Sequence, residues 1–490
     1  MHPSSTGRIG QTFFPWRLLS GPLFFGLTLL LPAPEAFTGA SWPVMGLAGW
    51  MALWWALQAV PLSATALLPL IWVPLLGLPD SGRVLSEYTN SSVMLILGGF
   101  LIARAMENWQ LHRRIAYRIM GFLGAEPRRL VLGIMVATAA VSMWVSNTSS
   151  ALMMLPVALA VTTLAMGGES TAPGGTPTGA AQQDGVNFSA ALLLGVAYGA
   201  TIGGLGTLIG TPTNAIVQGF MAKNFNVEVS FLDWLLFGLP TVALLLPLSW
   251  WLLVRVALPF NSQALGQSDQ ALKDAVNSLG AITEAEKRVA MVAGAAAVLW
   301  IVRPWLNDWA PLAGLNDTSI AVAAGLMLFL IPSGQQGRLL EAEDIGRIPW
   351  SILLLFGGGL ALAAAIQQSG LAMVLGQSMQ ALGGWPLPLL IVAIVTVLVF
   401  WTELNSNVAT AATFLPILAA VAAASDHSII ALIAPAAMAS SAAFMMPVGT
   451  PANAMIFGTG RVRFEQMLKA GIWVNVGAIV VISLVGIAIA

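Results

Sequence analysis

The sequence predicts an all-α polytopic membrane protein. It has about eleven transmembrane helices in two inverted five-helix repeats, each carrying a re-entrant hairpin and a broken helix. Three observations predict it. Of 490 residues, 57% are hydrophobic and only 8% charged, and apolar runs of about 17 residues or more recur along the chain. A polar stretch inside an apolar run, Ser142-Met-Trp-Val-Ser146-Asn147-Thr148 closed by Pro156, returns as Thr402-Glu403-Leu-Asn405-Ser406-Asn407-Val408 closed by Pro416. Finally, with the N-terminus inside, about 17 of the 20 Lys and Arg residues fall on the cytoplasmic side, leaving Arg83, Lys223 and Arg303 outside.

Composition also excludes whole classes of function. A net charge of −1 argues against nucleic acid as a partner. With no cysteine and only three scattered histidines (His2, His112, His427), neither thiolate nor histidine metal chemistry has ligands.

In chain order, residues 1–41 form a tail and a first transmembrane helix. Its run Leu18–Leu31 continues the pattern of spans and is not read as a secretory leader. The first repeat occupies 42–260. It opens with spans at Trp42–Val60, Ser63–Leu78 and Ser92–Met106, the last carrying Gly98-Gly99. Asn108–Arg129 is basic and amphipathic and reads as a cytoplasmic surface helix. Arg104 and Glu107, three residues apart at a span end, read as an interfacial ion pair.

Segment 130–165 has two flanks, each too short to span comfortably, around its Ser-Asn-Thr centre. A hairpin that enters and leaves by one face accommodates this. Residues 167–187 read as a Gly/Thr/Pro-rich surface insertion. Segment 188–220 is broken at Gly210-Thr211-Pro212-Thr213-Asn214 and reads as two half-helices around an unwound turn. A span at Trp234–Leu258 closes the repeat.

Residues 261–287 are the linker, on the cytoplasmic side. The second repeat, 288–490, places spans at Arg288–Val302, Ser319–Ile331 and Ile352–Ile366. A hairpin at 387–424 and a broken helix at 428–457 follow, the latter interrupted at Gly449-Thr450-Pro451-Ala452-Asn453. A final span runs from Ile472, which places the C-terminus outside. Gly98–Leu111 aligns with Gly358–Leu371 at the same offset of about 260 that relates the two Ser-Asn pairs. An odd number of spans per repeat inverts the second copy, so the hairpin tips enter from opposite faces.

Polar side chains at membrane depth are costly unless satisfied, so a duplicated polar cluster there is a candidate functional site. Ser, Asn and Thr supply neutral donors and acceptors, while hairpin and half-helix N-termini supply oriented amides, a combination suited to a carboxylate or sulfate. Neither tip nor turn contains Lys or Arg. Helix ends contribute at most about 2 kcal/mol each toward an anion, well short of the desolvation cost of a dianion. A hard cation such as Na⁺, held by hydroxyl, amide and carbonyl oxygens of the same tips, supplies the missing charge and couples anion to cation.

The paired Ser-Asn tips, the paired Gly-Thr-Pro-x-Asn turns and the inverted repeat resemble the divalent anion/sodium symporter family of dicarboxylate, citrate and sulfate carriers. The resemblance covers nearly the whole chain beyond the first span. It implies a homodimer in which a transport domain slides as an elevator against a dimerising scaffold in the inner membrane. It also implies one sodium site at Ser142, Ser146, Asn147 and the Gly210 backbone, and another at Thr402, Asn405, Asn407 and the Gly449 backbone. The anion is then expected against Ser146, Asn147, Thr148, Ser406, Asn407, Thr450 and Pro451. Val408 stands at the substrate position where the Ser-Asn-Thr pattern has Thr, so one hydroxyl contact is missing.

The expectation is sodium-coupled symport of small di- or tricarboxylates by a non-enzymatic carrier, with two or more Na⁺ and no organic cofactor. An exchanger, or a carrier driven by protons through Glu403, keeps the same fold, with sulfate as a possible substrate. An intramembrane enzyme lacks its signatures: there is no His-Glu-x-x-His, no Gly-x-Gly-Asp, and no histidine beside the serines. A channel fits poorly, because short polar tips from opposite faces build an occluded site instead of a continuous pore.

Overall fold

Proline and capping residues punctuate a chain that is otherwise almost uniformly apolar. The computed structural model describes residues 15–37, 39–78, 80–124, 126–165, 180–225, 227–262, 280–378, 385–423 and 428–489. His2 and His427, most of the Gly/Thr/Pro-rich insertion and most of the linker lie outside them.

The chain opens with α1 (Pro15–Leu30), α2 (Ser41–Leu57), α3 (Leu62–Thr65), α4 (Leu68–Leu75) and α5 (Ser81–Leu85). The single span expected at Ser63–Leu78 is therefore two short helices. Pro69, at the start of α4, has no N–H to continue the hydrogen-bond ladder from α3. Gly358 also packs so closely there that a Cβ on it would lie 2.3 Å from the Ala66 carbonyl. Next come α6 (Ser91–Asn108), capped by Asn90, and α7 (Leu111–Leu123).

The basic run is not wholly a surface helix. Arg114 is buried, gripping Glu286 through Nε (2.8 Å) and Nη2 (3.1 Å) and donating to the Gly280 and Ala281 carbonyls. Arg128 and Arg129 belong to the next helix. Arg104 bonds both Glu107 (3.4 Å) and Asp344 (3.2 Å), so it joins two segments far apart in sequence.

The first hairpin is α8 (Pro127–Ser142) and α9 (Asn147–Ala165). At 16 and 19 residues its arms rise about 24–28 Å. The first broken helix is α10 (Ala180–Gly204) and α11 (Pro212–Phe225), with Pro212 opening the second half as an N-terminal proline does. The end of the insertion, from Ala180, is thus already helical. After it, α12 (Phe231–Trp251) starts at a Ser230–Asp233 capping box and runs into a π-helical turn, Leu252–Ala257.

The second half has α13 (Glu284–Leu306), α14 (Asp317–Leu330), α15 (Ala342–Ile345), α16 (Trp350–Gln368) and α17 (Leu371–Ser378). Its hairpin is α18 (Leu387–Thr402) and α19 (Asn407–Ala423), and its broken helix is α20 (Ile429–Ser441) and α21 (Pro451–Gly458). The last helix, α22 (Phe464–Ile489), starts earlier than Ile472, with Glu465 in its first turn and the apolar pattern continuing behind it.

Six described helices are long and apolar enough to cross a membrane: 81–108, 182–204, 231–257, 284–306, 350–368 and 464–489. Shorter apolar helices include both arms of the second hairpin and the first half of the second broken helix, whereas α10, the first half of the first broken helix, is itself one of the six. Large apolar side chains stay exposed along the outward faces of α1, α12, α13 and α22, for example Leu30, Leu236, Met291 and Leu484. Such faces are stable against hydrocarbon and costly against water.

The two repeats interleave. α9 and α10 pack on α21, while α11 packs on α19 and α20. The Thr213 and Ser441 hydroxyls hydrogen-bond across that seam, and Tyr198 meets Phe444 edge-on with ring centroids 5.3 Å apart. On the other side, α1, α2 and α4 share a separate apolar cluster with α16.

Candidate functional site

Both hairpins end the same way. A hydroxyl closes the first arm, four residues turn the chain, and an asparagine opens the second arm. The Ser142 hydroxyl lies 2.8 Å from Asn147 Oδ1 and 2.8 Å from the Ala200 carbonyl on α10. The Thr402 hydroxyl lies 2.8 Å from Asn407 Oδ1 and 2.6 Å from the Ser440 carbonyl on α20. Ser142 and Thr402 are both fully buried.

Each hydroxyl has one proton and faces two acceptors. In each repeat, then, three oxygens converge around a single hydrogen. Two buried acceptor oxygens in close contact repel unless a positive charge sits among them. At Asn407 the carboxamide orientation is fixed independently, because Nδ2 donates to the Ser441 carbonyl at 3.3 Å. Two further pairs of buried oxygens have no protein partner in either repeat: Ser150 Oγ with Thr410 Oγ1, and Asn214 Oδ1 with Asn453 Oδ1. An oxygen-rich, proton-poor donor set of this kind fits a hard monovalent cation such as Na⁺.

The asparagines of the two Gly-Thr-Pro-x-Asn turns hold the unwound segments in shape. Asn214 Nδ2 donates to the Gly204 (2.9 Å) and Thr207 (2.8 Å) carbonyls, and Asn453 Nδ2 donates to the Ala443 (3.3 Å) and Met446 (3.0 Å) carbonyls. Thr450 caps α21 by accepting from Asn453 N at 3.0 Å. Gly210 is required by close approach, since a Cβ there would sit 2.6 Å from the Gly204 carbonyl oxygen.

Between tips and turns lies a cavity of about 390 Å³. Ser146, Asn147 and Thr148 line it from the first tip, and Ser406, Asn407 and Val408 from the second. Gly210, Gly449, Thr450 and Pro451 line it from the turns. The structure therefore brings together every residue expected against the anion. Ser142 and Thr402 sit behind this surface. Among the described residues, no Lys, Arg, Asp or Glu lines the cavity.

Two residues of the second tip, Asn405 and Glu403, bond to other parts of the protein. Asn405 does not face the cavity. With its carboxamide assigned the orientation that satisfies both neighbours, its Nδ2 donates to the Ala56 carbonyl at the end of α2 (2.8 Å) and its Oδ1 accepts from Trp401 Nε1 (3.0 Å). Its side chain is thus a tether between the second tip and α2, which leaves only its backbone for a cation.

Glu403 is held on both carboxylate oxygens. Oε1 accepts from Phe444 N (2.6 Å), Met445 N (2.8 Å) and Asn475 Nδ2 (2.8 Å), and Oε2 accepts from Met446 N (2.8 Å). Successive backbone N–H groups arranged this way form an anion nest, and the carboxylate fills it.

Sequence reasoning missed Thr211 and Pro212, which line the cavity opposite Thr450 and Pro451. The pairing of the two turns was signal enough to find them. It also missed Gln58, Phe100 and Ile352, which reach the cavity from α2, α6 and α16, and for these no motif gives a signal.

The chain matches the family described as the sodium:sulfate symporter transmembrane region over residues 15–489. It is 41% identical over 473 residues to the sodium-dependent dicarboxylate transporter SdcS of Staphylococcus saprophyticus, covering 96% of this chain and 90% of that protein. It is 40% identical over 487 residues to SdcS of Staphylococcus aureus, covering 99% and 91%. Among solved structures it resembles the Alcanivorax borkumensis YdaH transporter with a TM-score of 0.55 at 15% identity, covering 83% of this chain and 87% of that one. Neisseria gonorrhoeae MtrF gives the same TM-score at 13% identity, covering 82% and 83%. At that identity the likeness concerns the fold alone.

Proposed function

Because this chain belongs to the sodium:sulfate symporter family, we propose that it carries a small dicarboxylate together with Na⁺ across a bacterial plasma membrane, the activity named for its SdcS relatives. It is a transporter and not an enzyme. The observation that carries the reading is the cavity itself: polar on the sides facing both hairpin tips, and without any charged side chain among the described residues.

A dianion entering such a cavity exchanges water for neutral hydroxyls and amides, which replaces only part of its hydration. Cations at Ser142–Ser146–Asn147–Gly210 and at Thr402–Asn405–Asn407–Gly449 make up the difference, with Asn405 acting through its backbone. Asn147 and Asn407 belong to both sets. Their Oδ1 atoms face the buried hydroxyls, while their side chains also line the cavity. A cation that fixes either asparagine therefore organises the anion site, and the bound anion in turn strengthens the cation's field. That is a reciprocal coupling free energy.

Alternating access follows from an elevator movement. The two hairpins, the two broken helices and the helices after them slide as one body against a scaffold of the remaining helices, and the scaffold pairs with a second copy of the chain. The bias of basic residues supports a cytoplasmic N-terminus and an outer C-terminus. Proteoliposome uptake of labelled succinate tests the reading. Uptake is expected to stop when choline replaces Na⁺, and Asn147→Ala and Asn407→Ala are each expected to abolish it. Uptake undiminished in choline removes sodium coupling.

A further inference from the structure

One polar side chain lines the cavity from outside the hairpin tips and turns. It is Gln58, the residue that ends α2. Its backbone is left-handed, φ 47° and ψ 41°, one of three non-glycine residues with positive φ among those described. A glutamine gains nothing locally from that conformation, which glycine or asparagine adopts more readily. Strained backbone of this kind persists where the surroundings over-determine it and clusters at ligand clamps and switch regions.

The surroundings do over-determine it. The Gln58 and Ala59 N–H groups both return to the Trp54 carbonyl, and the Ala56 carbonyl is held by Asn405 of the second hairpin tip at 2.8 Å. The end of α2 is thereby docked on the tip that presents Ser406 and Asn407. The Gln58 side chain is exposed, and among the described residues its carboxamide has no hydrogen-bond partner. Its cavity neighbours from the same side, Phe100 and Ile352, are apolar.

We infer that Gln58 is a specificity-determining residue, whose carboxamide donates to a carboxylate of the bound substrate from the scaffold side. The inference deepens the proposed function and rests on its two-state movement. The tips and turns travel with the substrate, whereas α2 stays behind. The Gln58 contact, and the Asn405–Ala56 bond that positions it, therefore exist in one state and are absent in the other. It follows that affinity for the dicarboxylate differs between the two faces of the membrane, and that Gln58 is a source of the difference.

The test is the succinate KM measured from each face in proteoliposomes of defined orientation, at saturating Na⁺. Gln58→Ala is expected to raise KM about tenfold from one face only, with maximal rate and Na⁺ half-saturation retained. Gln58→Glu, which sets a carboxylate against a dianion, is expected to raise it further on that same face. Gln58→Gly relaxes the backbone while removing the amide, and is expected to show the Ala defect with an unchanged or higher melting temperature. A KM that is unmoved, or moved equally from both faces, overturns the inference while Na⁺-driven uptake persists. Uptake that no longer needs Na⁺ in the unsubstituted protein overturns the proposed function and this inference together.

Discussion

The two unwound turns share a motif and a shape but are held by different means. In the second repeat one carboxylate, Glu403, collects three consecutive N–H groups and Asn475. In the first repeat the matching position is Met143, and its side chain packs against Gly206. There the Thr207 hydroxyl donates to the Met143 carbonyl, Trp234 Nε1 donates to the Leu205 carbonyl (3.1 Å), and tight turns close Leu205 and Gly206 on Ile202 and Gly203. One turn is stabilised by a buried charge, the other by glycine and local backbone bonds. The duplicated sequence gives both turns the same shape, and each half has its own support for it.

This difference sets an order of sensitivity. Glu403→Ala strips four buried donors of their acceptor at once and is expected to cost about 3–5 kcal/mol of stability, the range for breaking a buried charged network. Met143→Leu at the matching position conserves volume and is expected to cost under about 1.5 kcal/mol. Thermal melts of the purified protein in one detergent check both. Equal losses would mean that the carboxylate is not what holds the second turn.

The glycines reverse the ranking. An alanine at Gly210 places its Cβ 2.6 Å from a backbone oxygen that has no room to move. At Gly449 the nearest atoms stand further off, Glu403 Oε2 at 3.0 Å and Ala443 Cβ at 3.1 Å. Gly210→Ala is therefore expected to cost about 1–3 kcal/mol, raising the Na⁺ concentration for half-maximal uptake roughly tenfold, and Gly449→Ala clearly less. A larger defect at Gly449 would place the tighter cation site in the second repeat.

The tips differ as well, by Thr148 against Val408. Val408→Thr restores the symmetric hydroxyl on the cavity wall. The expected change is the smallest of the series, about two- to fivefold in relative affinity for malate over succinate, because one exposed hydroxyl adds roughly 0.5–1 kcal/mol. Competition of each acid against labelled succinate measures it, and an unchanged ratio places Val408 outside the contact with the substrate's hydroxyl.

How much of this was legible in the sequence depends on whether a feature was duplicated. Ser146, Asn147, Ser406, Asn407 and the two Gly-Thr-Pro-x-Asn turns announced themselves because a polar cluster inside an apolar run is costly and its recurrence in register is not accidental. Glu403 was visible as an intramembrane carboxylate, but its partners were not. The N–H groups of Phe444 to Met446 become an anion nest only when α20 unwinds beside the second tip. Asn405 reads as a ligand because it is a polar residue in a tip motif, and the partner its side chain finds on α2 was not visible in the sequence. The broken span after Val60 was missed because apolar composition conceals the effect of Pro69. Gln58 left no trace at all, since a lone glutamine at a helix end is ordinary until a fold sets it against a cavity.

The central claim is that a cavity without basic side chains holds a dianion only in the company of cations. The melting temperature of the purified protein, read with and without succinate in NaCl and again in choline chloride of equal ionic strength, tests it most directly. The account predicts a succinate-induced rise in Na⁺ and none in choline, with Na⁺ itself binding more tightly when succinate is present. A rise of equal size in choline would contradict it.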